Sequence, residues 1–158
     1  MPFEKEDRIR EATSSDVGRF FHQASQRDWE GIVPPFIDWG RLHDCDGFSV
    51  AEYQGEVVGA IATSSKGMDG STLPTIANVY VLRDFRRKGV GFRLLLDAMN
   101  RLLAAGSRKA FCKAITKAMM KNLEKLPPHL KERLEYTVDL HDDGPEAWQS
   151  REETKGAD

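Results

Sequence analysis

Residues 79–91, Val79-Tyr80-Val81-Leu82-Arg83-Asp84-Phe85-Arg86-Arg87-Lys88-Gly89-Val90-Gly91, read as a strand that runs into a basic, glycine-punctuated turn and then into a helix. Glycine reaches backbone angles that aim several N–H groups at one point, and the unpaired amides and positive dipole end of a following helix face the same point. Arg86, Arg87 and Lys88 add counter-charge, so the turn suits phosphate. A bare Arg-x-x-Gly-x-Gly is weak, arising by accident in roughly one chain in 25 of this length. Its flanks discriminate. Upstream, Thr75-Ile76-Ala77-Asn78-Val79-Tyr80-Val81 is rich in β-branched and aromatic types and predicts a strand. Downstream, Leu95, Met99, Leu102 and Leu103 mark one helical face, Arg93, Asp97, Asn100 and Arg101 the opposite one, and Gly106 is placed to end the helix. The competing reading is a surface turn before an ordinary amphipathic helix.

Working outward, Ser14-Ser15-Asp16 offers capping residues ahead of Val17, Phe20, Phe21 and Ala24, which predicts a first helix over about 15–27 behind a short strand near residues 8–12. Residues 28–46 are interrupted by Pro34-Pro35 and carry Trp29, Ile32, Phe36, Ile37 and Trp39, a short helix and loops whose aromatics serve either as core and lid packing or as a substrate wall. From Phe48 the pattern alternates through Val50, Ala51 and Tyr53, turns at Gln54-Gly55, and resumes through Val57, Val58, Ala60 and Ile61, predicting a hairpin. Residues 108–114 predict a further strand. Ile115, Met119, Leu123 and Leu126 recur at helical spacing until Pro127-Pro128 stops the run. In residues 134–140, Tyr136, Val138 and Leu140 alternate with Glu135, Thr137 and Asp139, predicting a half-exposed strand.

The 158 residues suit one domain over residues 1–141 followed by an acidic, loosely held tail over 142–158. A formal charge of -2 and a pI near 6.1 give no reason to expect nucleic acid or an anionic membrane as partner. The basic cluster from Arg83 to Arg93 is therefore local and suits a small phosphorylated ligand. No apolar run approaches a membrane span and the N-terminus has no apolar h-region, so a cytoplasmic protein is expected. Cys45 and Cys112 are expected as reduced thiols, and neither they nor His22, His43, His129 and His141 show metal-ligand spacing, so no metal is expected.

In element order the chain resembles the GCN5-related N-acetyltransferase family, which moves acyl groups from coenzyme A to amines. Two segments carry the resemblance: Val81 followed by Arg86-Arg87-Lys88-Gly89-Val90-Gly91, similar to the family's acyl-CoA signature, and Phe48 to Ala60, similar to the hairpin before the central strand. The resemblance covers about residues 7–126. It implies an α/β (α+β) fold with a mixed, mostly antiparallel sheet of about six or seven strands and helices on both faces.

The resemblance further implies a bulged central strand that splays from the next one and lends the backbone of Val79 and Val81 to the pantetheine arm of acetyl-CoA. The pyrophosphate would lie on the amides of Arg87, Lys88, Gly89, Val90 and Gly91, Arg86 and Phe92 would complete the cofactor-binding set, and an amide near Val81 would polarise the thioester carbonyl. The acceptor would be a primary amine. Two departures bear on catalysis. No carboxylate lies between Ser71 and Val81, where several relatives carry a base, and no tyrosine lies between Ile115 and Leu126, where a thiolate proton donor is common. Tyr80, Asn122 and Tyr136 stand as candidate catalytic residues, with His43, Asp44 or Asp46 as candidate bases. A single strand after the last helix leaves a sheet edge to be covered by the tail or by another subunit, the second of which would make a homodimer. A silent CoA-binding module of the same fold and an unrelated phosphate binder are the alternatives.

Overall fold

The computed structural model describes residues 8–28, 43–68, 70–114 and 117–138. The aromatic run at 29–39, the acidic tail from 142 and Leu140 lie outside them. Six strands form one sheet in chain order. β1 is Arg8–Glu11, β2 Gly47–Tyr53, β3 Glu56–Ser64, β4 Thr75–Val81, β5 Ala110–Ala114 and β6 Leu134–Val138. The first four are mutually antiparallel, whereas β4, β5 and β6 run parallel. The helices are α1 (Ser14–Asp28), α2 (Val90–Ala104), α3 (Lys117–Glu124) and α4 (Pro128–Lys131). The α/β fold with a mixed sheet and helices on both faces is thus as the sequence indicates.

The β2–β3 hairpin closes through Gln54 and Gly55 at φ 52° and 83°. Two consecutive left-handed residues match the right-handed twist of the strands they join. Near this turn β1 is held to β2 by Arg8 and Arg10, both paired with Glu52. The Arg10 bond, with Arg8 beside it, keeps the Glu52 carboxyl below its ordinary value.

Two local expectations are corrected. The cap of α1 is Thr13 rather than Ser14 or Ser15. Asp16 N donates to Thr13 Oγ1 at 3.1 Å, and Thr13 N donates to Asp16 Oδ2 at 3.0 Å. This reciprocal box needs an acceptor three residues after the cap; Thr13 has Asp16 there, while Ser14 has Val17. Pro127-Pro128 ends α3 as expected but also opens α4, where proline's fixed φ and missing N–H suit a first helical turn.

The core lies on both faces of the sheet. On one, Phe20 and Phe21 of α1 bring their rings within 6.4 and 6.3 Å of the Tyr80 ring. On the other, Val90, Leu94, Leu95, Ala98 and Met99 of α2 are buried against the strands. Burial of these side chains at about 25 cal/mol per Å² is the main stabilising contribution. Beyond β5 the core thins: Leu134 of β6 is buried, while Glu135, Tyr136 and Thr137 are exposed. No strand covers the outer edge of β6 among the described residues.

Asp46 ties the stretch before β2 to the end of β3. Its carboxyl accepts the Ser65 hydroxyl and, at 2.9 Å, the Ser65 amide. The Ser65 hydroxyl bond is the first cause holding Asp46 below its ordinary value of 3.8, against opposing desolvation. A lowered folded-state value stabilises the protein above the ordinary value and loses that contribution as pH falls through the folded one. Asp46→Asn is therefore expected to lower Tm at pH 7, with the gap to wild type narrowing as pH falls below 3.8. A gap of constant size in Tm measured from pH 7 to 2.5 would refute this.

Candidate functional site

β4 pairs with β3 along its length but with β5 only at Thr75 opposite Phe111 and Ile76 opposite Cys112. The parting has a local cause. Ala62 faces Asn78 and Thr63 faces Ile76, so Ala77 is the extra residue of a β-bulge. A bulge bends its strand and increases the local twist. From Ala77 to Val81 no ladder joins β4 to β5 among the described residues, and the strands open into a gap.

The orientation of the backbone at this gap follows from one bond. Leu82 N donates to Val58 O at 2.9 Å, so Leu82 and Tyr80 turn their amide groups to β3. By alternation Val79 and Val81 turn theirs away from β3, into the gap. Arg86 Nε donates to Val81 O at 2.9 Å. An extended chain with its own amides can lie here as an added strand.

Beyond β4 a 3-10 turn, Arg83–Phe85, leads into the basic segment. Arg86 is extended, Arg87 is left-handed at φ 62° and Gly89 is left-handed at φ 84°. A left-handed arginine carries strain on the order of 1–2 kcal/mol. Such alternation curls the backbone amides around a concave point suited to an anion. Gly89 is the N-cap of α2 and no side chain caps it. The first intrahelical bond is Arg93 N to Gly89 O at 3.0 Å, so the amides of Val90, Gly91 and Phe92 have no acceptor within the helix. These amides and the helix dipole give the mouth of the gap the chemistry to hold an anion.

Aromatic packing holds this turn against the hairpin. Tyr53 and Phe85 meet edge to face at 5.6 Å, Lys88 Nζ lies 5.8 Å from the Tyr53 ring and Arg27 lies 5.8 Å from the Phe85 ring. The Arg86 guanidinium lies 5.0 Å from the Tyr80 ring centroid.

Among the residues singled out from sequence, Val79, Val81, the turn from Arg86 and the start of α2 come together. Asn122 joins them, because a Cβ built on Gly91 would lie 3.0 Å from Asn122 Nδ2 and 3.7 Å from Val81 Cγ2. Tyr80 lies beside the gap, but its hydroxyl donates to Asp28 Oδ2 at 2.8 Å. Tyr136 stands apart on β6, opposite Cys112 and 40% exposed, with β5 between it and the gap. His43 and Asp44 are exposed before β2, and Asp46 is engaged with Ser65. Cys45 and Cys112 are buried and not joined by a disulfide. Among the described residues no cluster of His, Cys, Asp and Glu could hold a metal ion, and no helix is long and apolar enough to cross a membrane. Asp28, at the end of α1, was missed from sequence: its only signal there is an acid at the helix end where the dipole disfavours one.

A splayed parallel pair whose opened backbone edge meets an uncapped glycine-led helix is the arrangement of an acyl-CoA N-acyltransferase fold. The model of the Acetyltransferase (GNAT) family matches residues 7–126, and the chain belongs to that family. Solved structures agree on the fold. An aminoglycoside acetyltransferase from an uncultured soil metagenomic sample, complexed with sisomicin, has 16% identity and TM-score 0.58 over 87% of this chain and 95% of that one. An N-acetyltransferase from Staphylococcus aureus has 20% identity and TM-score 0.56 over 77% and 82%. An aminoglycoside N-acetyltransferase in complex with CoA has 19% identity and TM-score 0.51 over 77% and 85%. A search of curated protein sequences gives no match.

Proposed function

We propose that this protein transfers the acetyl group of acetyl-CoA to a primary amine. The observation that carries the reading is the adjacency of two separate binding devices, the open β4 edge at Val79 and Val81 and the uncapped α2 start at Gly89, with a Cβ on Gly91 only 3.7 Å from Val81 Cγ2. The first suits the amide-bearing pantetheine arm and the second suits a diphosphate. The backbone of Val79 and Val81 and the turn Arg86 to Phe92 hold the cofactor in this reading. The complex of a fold relative with CoA supports it.

The amine nitrogen attacks the thioester carbon, the C–N bond forms, the C–S bond breaks, and the departing CoA thiolate takes a proton. A backbone amide at Val81 faces the gap where the carbonyl oxygen gains charge. A lysine-like amine is neutral in only about one molecule in 2,500 at pH 7, so its proton must leave during the reaction. With no carboxylate on β4, water carries that proton. Asn122, whose amide faces Gly91 at the mouth, stabilises the thiolate by hydrogen bonding, and water protonates it. Tyr80 serves as scaffold through Asp28 and Tyr136 lies outside the reaction path. Two buried cysteines not joined by a disulfide fit a reducing, cytoplasmic setting.

The missing carboxylate favours one second reading, a module that binds CoA without transfer. Titration calorimetry with acetyl-CoA, CoA and ATP tests binding, and CoA release in amine mixtures tests transfer. Micromolar binding of acetyl-CoA and CoA but not ATP, with amine-dependent CoA release, is expected. Binding without release favours the silent module, and absence of CoA binding refutes both readings.

A further inference from the structure

Asp28 is a buried acid that the proposed chemistry does not use. It is the last residue of α1, 7% exposed, at a helix end whose partial charge opposes an acid. Burying a carboxyl there is unfavourable unless strong hydrogen bonds offset it. It has two: Tyr80 Oη donates to Oδ2 at 2.8 Å and Arg83 N donates to the same oxygen at 3.0 Å. Both donors lie more than fifty residues away along the chain, at the junction of β4 with the phosphate turn.

Two routes lead from this oxygen to the cleft. Through the Arg83 amide it fixes the start of the 3-10 turn, whose end sets Arg86 by the Arg86 N to Arg83 O bond at 3.3 Å. Through the Tyr80 hydroxyl it fixes the ring on which the Arg86 guanidinium rests, and Arg86 in turn donates to Val81 O. Breaking a local preference in order to reach a distant functional junction is the pattern expected of a residue retained for a site.

We infer that Asp28 is a positioning residue for acyl-CoA, using one oxygen to hold the end of β4 in register with the phosphate turn. The inference rests on the CoA reading above. It assigns Asp28 no proton transfer and no contact with substrate. What the site needs from it is a hydrogen-bond acceptor at that point.

The test compares wild type with Asp28→Ala, Asp28→Asn and Tyr80→Phe, measuring Tm, the Kd for CoA, and KM and kcat for acetyl-CoA. Asp28→Ala is expected to raise Kd and KM about tenfold with kcat at saturation nearly unchanged, since misplacement of a binding loop acts on affinity first. Asp28→Asn keeps an acceptor oxygen and is expected to restore most of the affinity. Tyr80→Phe, which leaves the Arg83 bond intact, should fall between Asp28→Ala and wild type. Should Asp28→Ala fail to fold, the other two variants decide by the same criteria. Normal CoA affinity in folded Asp28→Ala overturns the positioning role and leaves the CoA reading intact. So does equal loss in Asp28→Asn and Asp28→Ala, or a fall in kcat with KM unchanged. Failure of wild type to bind CoA overturns both.

Discussion

Gly89→Glu is expected to abolish CoA binding while leaving the domain folded. Gly89 caps α2 at φ 84° with nothing within 4 Å of where its Cβ would stand, so a side chain there enters open space at the proposed anion site. Two effects must be separated. Any non-glycine residue at this φ costs about 1–2 kcal/mol, partly offset by about 0.4–1 kcal/mol from a less flexible unfolded chain. Gly89→Ala carries that backbone effect alone. Gly89→Glu adds a carboxylate at a helix N-terminus, which favours the helix by roughly 0.3–1 kcal/mol. The glutamate variant should therefore be at least as stable as the alanine variant. Binding goes the other way, because a fixed carboxylate against a diphosphate costs several kcal/mol, or more than about a hundredfold in Kd. Calorimetric Kd values beside thermal melts of both variants check this. A glutamate variant that binds CoA as the alanine variant does would remove the diphosphate from the start of α2.

How much of this site is visible in the sequence depends on the distance over which each feature is encoded. The Arg86 to Gly91 turn, the α2 face and the Gln54-Gly55 hairpin are local patterns, and each lies where the sequence places it. The bulge at Ala77 is different. No glycine or proline marks it; it is a shift in the register β4 keeps with β3, and that register belongs to the assembled sheet. Asp28 is less legible still, since its two partners are 52 and 55 residues away. The Thr13–Asp16 box is local and was readable, but two serines beside it compete as caps until the position three residues on is compared. Tyr80 and Tyr136 show the limit of reasoning by residue type. Both are tyrosines on strands, yet one hydroxyl is held by an aspartate beside the gap and the other stands on the far side of β5.

The spacing between helix and sheet at the phosphate end depends on the bare backbone of Gly59. It faces Val81 in the β3–β4 register, and a Cβ there would lie 3.1 Å from Leu94 Cδ1, 3.2 Å from Val90 Cγ1 and 3.3 Å from Tyr80 O. Val90 and Leu94 are fully packed and Tyr80 O is backbone, so none of the three gives way easily. Gly59→Ala must push α2 outward by a few tenths of an ångström, and Gly59→Val must push it further to seat two more methyls. Overpacking of this kind costs about 1–3 kcal/mol. The strand preference of valine returns part of that, within a scale of about 1 kcal/mol, so a net loss of about 2 kcal/mol is expected for Gly59→Val. Because Val90 follows Gly89 directly, the same displacement moves the amides proposed to bind the diphosphate away from β4. CoA affinity should fall about tenfold alongside stability. Urea midpoints and calorimetric Kd values for the alanine and valine variants test both halves. Unchanged stability would mean that α2 has room to spare over β3, whereas lost stability with normal affinity would show that the amides keep their place when the helix shifts.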